Sequence, residues 1–385
     1  MTASGFAIRC APIFAEYLLI LLVLLMTRSV SRRLFVAAAA ASLLAGSGFA
    51  LAQESERPAV IRIGSPELGS NGKSFPGAGA LAIVRANQWL EQEFAKDGIK
   101  VEWTFFRGAG PAVAEALAAR QLDVVFLGDL AAVIGRSRGL PTRLIAITGR
   151  ESASYLAVAP GVTIKTPADL KGRKVAVLKG TAYQRPFDAL LADAGLSEKD
   201  VRVVNMDWPT AKAAVVSKDV DATFGGADLH LLQDKGVTLP ISTKGRGPAY
   251  NIHAAVLATD DFIGKYPQVT QRLVNQVVRA SRWASDESNR PALIKLFGEH
   301  SGHGTAIYQA DLQGTNLKTH FSPLLDEEAL AAYKSVLADG QKWGLVRQGF
   351  DVDAWAAPQF VQAAVKTQKL DGYWPQLNAQ GKAQP

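Results

Sequence analysis

The chain has 385 residues, 48% of them hydrophobic and 20% charged. That is the composition of a globular protein of about two domains, and it excludes a disordered chain, a collagen-like rod and a multi-span membrane protein. The net charge is +7, from 42 basic and 35 acidic side chains, and the 34 glycines and 18 prolines are scattered rather than gathered into a low-complexity block.

The first fifty residues read as an export signal. Residues 17–25 form an apolar stretch short of the roughly 20 residues that a bilayer core takes. Arg28, Arg32 and Arg33 precede a second apolar stretch at 34–44, and Ala50-Leu-Ala52 ends it with an A-x-A cleavage site before Gln53. A basic start, an apolar middle and a small-residue end make a secretory signal over residues 1–52, cleaved after Ala52, with Met26 a candidate true start. The rival is a membrane anchor formed by the first stretch. Ser31-Arg32-Arg33-Leu34-Phe35 also suits the twin-arginine route as well as the general one. The lone cysteine, Cys10, falls in this segment, so the exported chain has no disulfide, thiolate nucleophile or cysteine metal ligand. The segment carries four arginines and one glutamate, which takes the charge from +7 to +4. That is too mild and dispersed for a nucleic-acid partner.

From residue 60 short apolar runs alternate with helical patterns, as in an α/β chain. Strands are expected at 60–64, 100–106, 123–127 and 143–148, with one helix over 78–94 and another from Gly108 to Arg120. A second block places strands at 155–158, 174–178, 201–204 and 222–224, with helices after Gly180-Thr181 and over 209–217. A strand-like run at 252–258 precedes a mostly helical tail, clearest at 268–286, 326–340 and 352–365. The implied organisation is a first lobe begun by 53–148, a second lobe at 149–245, and a return to the first lobe with C-terminal helices at 246–385.

Taken in order, Gly108-Ala-Gly-Pro111, Leu122-Asp123, Gly128-Asp129, Asp169-Leu-Lys-Gly-Arg-Lys-Val-Ala-Val-Leu-Lys-Gly-Thr181, Val220-Asp-Ala222 and Tyr266-Pro-Gln-Val269 resemble the periplasmic substrate-binding proteins of ABC importers, nitrate/aliphatic sulfonate/taurine type. The resemblance covers about residues 60–370. It implies a two-lobed periplasmic-binding-protein fold with two chain crossings and a helical C-terminal tail. It also implies a monomeric periplasmic receptor that hands a small anion to an inner-membrane ABC permease, without cofactor or metal. A pyrimidine or aromatic carboxylate cargo, and a ligand sensor for a receptor kinase, are the alternatives. Two departures bear on the cargo: Gly225-Gly-Ala-Asp228 replaces a tryptophan that many relatives carry, and the loop 65–73 holds both an acid and a lysine.

An anion needs donors rather than a full positive charge. Strand-to-helix loops expose backbone N–H groups and the positive end of a helix dipole, and in doubly wound sheets they gather in one crevice. Gly108, Gly110, Gly128, Asp129, Gly180, Thr181 and Ala182 stand at three such junctions, and Ser65 opens the loop after the first strand. Arg185 reads as a bidentate anion contact or equally as a solvated helix residue, and Asp129 and Asp228 as helix caps or amine-selecting acids. Trp208 suits an apolar wall or the core equally. His300-x-x-His303 reads as a glycine-rich surface loop rather than a metal site. No G-x-S-x-G elbow, Walker loop or H-E-x-x-H occurs, so no catalytic residue is assigned.

Overall fold

A computed structural model describes residues 57–384 apart from 68, 71 and 72. The expected signal segment lies outside the described residues.

Two five-stranded mixed sheets organise the chain. The first contains β1 (Val60–Ser65), β2 (Lys100–Phe105), β3 (Val124–Gly128), β4 (Thr142–Ser152) and β10 (Ile252–Thr259) in the order β2-β1-β3-β10-β4. The second contains β5 (Tyr155–Val158), β6 (Lys174–Val177), β7 (Arg202–Asn205), β8 (Ala222–Gly225) and β9 (Thr238–Ser242) in the order β7-β6-β8-β5-β9. In each sheet three parallel strands meet an antiparallel one: β10 runs against β3 and β4, and β5 against β8 and β9. The chain leaves the first sheet after Ser152, four residues beyond the end expected for that block, and returns at Ile252. These are the two crossings of a periplasmic-binding-protein fold. Pro240 sits in β9, an edge strand, where a missing N–H costs no ladder bond.

Among the described residues fourteen α-helices accompany the sheets: α1 (Ala80–Ala86), α2 (Trp89–Ala95), α3 (Ala109–Ala118), α4 (Asp129–Ser137), α5 (Gln184–Asp193), α6 (Trp208–Ser217), α7 (Asp260–Lys265), α8 (Pro267–Ala284), α9 (Arg290–Ser301), α10 (Thr305–Asp311), α11 (Leu317–His320), α12 (Glu327–Lys342), α13 (Val352–Trp355) and α14 (Gln359–Thr367). In α8, Val269, Leu273, Val274, Val277, Val278 and Ala284 are buried, the 3–4 spacing of a helix laid along a sheet. Two expected helices are each broken in two. The helix over 78–94 is interrupted at Gln88, which takes a left-handed conformation (φ 54), and that over 352–365 is interrupted before Pro358, which disfavours helical backbone at the residue ahead of it.

Apolar cores lie on both faces of each sheet. Val124 and Phe126 point from β3 into the core beneath α1 and α8, while Val125 and Leu127 point into that beneath α4 and α12, the period-two alternation of a strand covered on both sides. Phe187 and Phe224 centre one core of the second sheet. Trp343, just past α12, packs against that core although α12 itself belongs to the first lobe.

Candidate functional site

The carboxyl ends of the parallel strands in the two lobes face each other across a cavity of about 500 Å³. From the first lobe come Glu67 after β1, Gly79 before α1, Phe106, Arg107, Ala109 and Gly110 after β2, and Gly128 and Ala131 at the start of α4. From the second come Thr181, Ala182 and Tyr183 after β6, Trp208 and Lys212 of α6, and Gly226 to Asp228 after β8. The helical tail adds His303, Tyr308 and Asp311.

One part of the lining is made of the smallest side chains. A β-carbon on Gly110 would stand 2.5 Å from that of Ala131 and 3.6 Å from the carbonyl oxygen of Gly180. A β-carbon on Gly128 would stand 2.5 Å from that of Ala182, in the opposite lobe. Three strand-to-helix loops therefore meet with backbone against backbone. The helices that start here, α1, α3, α4 and α5, have no side-chain cap from their N-cap residues, whereas α6, α7, α12 and α13 are capped by Asp207, Thr259, Asp326 and Asp351. Helix N-termini that their N-cap side chains leave uncapped and that face a shared cavity offer donors for an oxyanion, although at α4 the Leu130 N–H is already taken by Asp129 Oδ1. Ala109, at the first turn of α3, is held at φ 52, a left-handed conformation that costs an alanine about 1 kcal/mol and persists only where surrounding packing imposes it.

The rest of the lining is aromatic and acidic. Tyr183 meets Trp208 edge-on with ring centroids 5.2 Å apart, and Phe75 packs against Tyr308 at 6.2 Å. Lys212 Nζ donates to Asp228 Oδ2 at 2.7 Å, and Tyr155 Oη donates to Asp311 Oδ1 at 3.0 Å. Burial and the charge of Asp228 push the Glu67 carboxyl up to about 7. Burial holds the His303 imidazole below its ordinary value, and its Nδ1 lies 3.2 Å from Tyr308 Oη.

Of the ten residues singled out in the sequence, Gly110, Gly128, Thr181, Ala182 and Asp228 line the cavity. Ser65, Gly108, Asp129, Gly180 and Arg185 do not. Ser65 is fully buried at the end of β1. Gly108 is the N-cap of α3, behind the lining residues. Asp129 is buried and accepts from the backbone N–H groups of Leu130 (2.6 Å) and His253 (2.9 Å), tying α4 to β10. Gly180 adopts φ +77 and donates its backbone N–H to the side-chain carbonyl Oε1 of Gln184 at 2.7 Å. Arg185 is 2% exposed, and its guanidinium is taken up by Asp339 Oδ2 (2.8 Å), Ser335 Oγ (3.0 Å) and the carbonyls of Pro248 and Asn251 (both 3.3 Å). It joins α5 of the second lobe to α12 and the return crossing, which leaves no donor for an anion in the cavity.

The sequence-based view of 298–304 as a surface loop also needs correcting: α9 runs to Ser301, Gly298 is buried within it, and His303 faces the cavity. Among the described residues no group of three or more His, Cys, Asp or Glu could hold a metal ion. Sequence reasoning noted the acid of the loop 65–73, Glu67, without placing it in the site, and passed over Tyr183, Lys212, Tyr308 and Asp311. Lys212 was within reach, one helical turn after Trp208, whereas Tyr308 and Asp311 arrive from the tail with no local signal.

Known proteins share this architecture. A protein of Escherichia coli K12, provisionally named an aliphatic sulfonates-binding protein, is 32% identical over 185 residues, 48% of this chain and 54% of that protein. The chain thus spans about half the length of such sequence relatives. The crystal structure of a periplasmic sulfonate-binding protein SsuA from Methylobacillus flagellatus KT is 31% identical, with a TM-score of 0.69 over 83% of this chain and 97% of that one. The desulfurization enzyme DszB shares the fold alone, at 20% identity and a TM-score of 0.60 over 80% of this chain and 99% of that one. The family model described as NMT1/THI5 like matches residues 94–289, half of the chain. Together with 31% identity across almost the whole of a solved relative, that match makes this chain a member of the NMT1/THI5-like family.

Proposed function

We propose that the chain is a periplasmic solute receptor that closes its two lobes over a small organic anion of the sulfonate class and delivers it, as a monomer and without cofactor, to an inner-membrane ABC permease. The observation that carries this reading is the cavity of about 500 Å³ bounded by loops of both lobes, with uncapped helix N-termini on its small-residue side. A ligand that touches both lobes binds the closed form more tightly than the open one, and that difference drives closure. The volume lies in the range of organic ligands rather than of a four-atom nitrate ion, and Trp208, Phe106 and Phe75 suit an apolar substituent. Binding rather than catalysis is the reading this lining supports, with His303 Nδ1 lying 3.2 Å from the Tyr308 hydroxyl.

The test is a thermal-shift screen of the purified chain against taurine, alkyl and aryl sulfonates, nitrate, sulfate, pyrimidines and aromatic carboxylates, followed by calorimetry on each hit. A ligand of the folded state raises the melting temperature by mass action. A sulfonate hit supports the reading. Hits confined to pyrimidines or aromatic carboxylates replace the cargo, and a neighbouring kinase gene in place of permease and ATPase genes replaces transport with sensing.

A further inference from the structure

The sulfonate reading sets the anionic head of a ligand against the small-residue side of the cavity and its body toward the aromatic side, and the inference that follows rests on that orientation. On the aromatic side Phe75 lines the cavity. A second cavity, of about 170 Å³, lies in the first lobe and is lined by Ser74, Ala82, Arg85, Ala86, Gln88 and His300. Among the described residues Phe75 alone belongs to both linings. Two helices lead from one cavity to the other. The N-cap of α1, Gly79, lines the first, while Ala82, Arg85 and Ala86, spaced along one face of the same helix, line the second. Gly79 and Ala86 lie about 10 Å apart along that axis. In α9, Phe297 packs on Phe75, and His300 follows one turn later in the second cavity.

Phe75 is 3% exposed and closely held. Its ring meets that of Phe297 at 5.9 Å and that of Tyr308 at 6.2 Å, and those two meet each other at 5.5 Å, so the three rings form a closed triangle. The loop before it is pinned to the end of α9: Ser70 N–H donates to the carbonyl of Ser301 at 2.8 Å, and Lys73 N–H to that of Ser70 at 3.0 Å. A β-carbon on Gly69 would stand 2.7 Å from the same Ser301 oxygen, so backbone lies on backbone there. A ring packed in this way yields to a longer ligand only by breaking its cluster. Beyond it the lining changes from aromatic to polar, with the Arg85 guanidinium held by Glu91 Oε1 at 2.9 Å. We infer that Phe75 sets the length of the ligand body that the receptor accepts. Its ring is a partition between the interlobe cavity and a polar outer cavity, which a longer body enters only when the partition is removed.

Calorimetry with the linear alkanesulfonates from ethanesulfonate to decanesulfonate tests this. The affinity of the wild-type chain is expected to climb by about fourfold with each methylene it buries. It should then fall by about tenfold or more from its best value once the chain end meets Phe75, the penalty of overpacking. Phe75→Leu and Phe75→Ala open the partition by degrees, so the fall is expected to shrink below about threefold in the first and to vanish in the second. Alanine also strips the ring cluster; where that variant fails to fold, the leucine variant, shown to be folded by its thermal unfolding, carries the test. Ala86→Phe fills the outer cavity: alone it should leave the wild-type profile unchanged, and combined with Phe75→Leu it should restore the fall. A wild-type profile that levels without falling, a fall that persists in Phe75→Leu, or no restoration by Ala86→Phe overturns the partition and leaves the sulfonate receptor standing. Failure of the whole series to bind the wild-type chain overturns both.

Discussion

Gly128 separates ligand-driven closure from folding more cleanly than any other position in the cavity. It ends β3 in the first lobe with φ −71 and ψ 157, an extended conformation that any residue adopts. A β-carbon there would stand 2.5 Å from Cβ of Ala182 in the second lobe, where two carbons in contact ordinarily keep about 3.5–4.0 Å. With alanine at 128 the lobes must therefore back away by about 1 Å at this point. Within the first lobe the new methyl meets only Cγ2 of Ile252 at 4.0 Å, an ordinary contact. Overpacking of this kind costs about 1–3 kcal/mol. Because the cost falls on the closed form alone, it appears as a loss of affinity of roughly 5- to 150-fold. The melting temperature of the ligand-free chain should hold or rise slightly, since alanine restricts the unfolded chain.

Calorimetry of Gly128→Ala with any ligand found in the screen measures the first quantity, and ligand-free thermal unfolding the second. The double variant Gly128→Ala/Ala182→Gly removes the opposing methyl and should restore affinity to within about threefold, the coupling expected of residues in direct contact. Undiminished affinity in Gly128→Ala, or no recovery in the double variant, would refute closure through this contact. Gly180, the more obvious glycine in the sequence, cannot serve: at φ +77 any side chain is strained, and its β-carbon would lie 3.2 Å from Pro111. A loss of binding there would be inseparable from a loss of stability.

Three further outcomes follow from the contacts around the cavity. Arg185→Ala empties a buried guanidinium site and leaves the half-buried Asp339 carboxylate and the carbonyls of the return crossing without their donor, and should cost about 3 kcal/mol in urea unfolding; lysine, lacking the planar fork, should recover little of it. Arg107→Ala removes an exposed bridge between the lobes at the cavity mouth, so stability should move by less than about 1 kcal/mol, with ligand dissociation accelerated less than about fivefold; a large stability change would contradict this. His320 is buried, and burial lowers its pKa to about 4. The unfolded chain therefore takes up a proton there before the folded one does. Stability should be fully present above the ordinary histidine value of 6.5, decline as pH falls toward about 4, and then level, a loss of about 3 kcal/mol in all. His320→Gln should flatten that limb of the urea-midpoint profile against pH.

What the sequence made legible follows the range of the interactions involved. Strands and most helices were readable because hydrophobic period and turn chemistry are local. Gln88 breaks a helix without any local breaker, and only tertiary packing explains it; Pro358 was a breaker in plain view. Arg185 shows the limit most directly. Beside Thr181 it reads as an anion contact, yet its carboxylate partner, Asp339, is 154 residues away, and no local pattern announces that pairing. The cavity divides along the same line. Its small-residue side consists of glycine and alanine at strand ends, where sequence position almost determines spatial position. Its aromatic and acidic side is assembled from a loop after β1, from α6, and from His303, Tyr308 and Asp311 in the tail. Those segments meet only because the chain crosses between lobes twice and then folds back. The groups that would recognise an anion were therefore readable in outline, and those that would choose among anions only in part, as the acid of the loop 65–73 and Asp228.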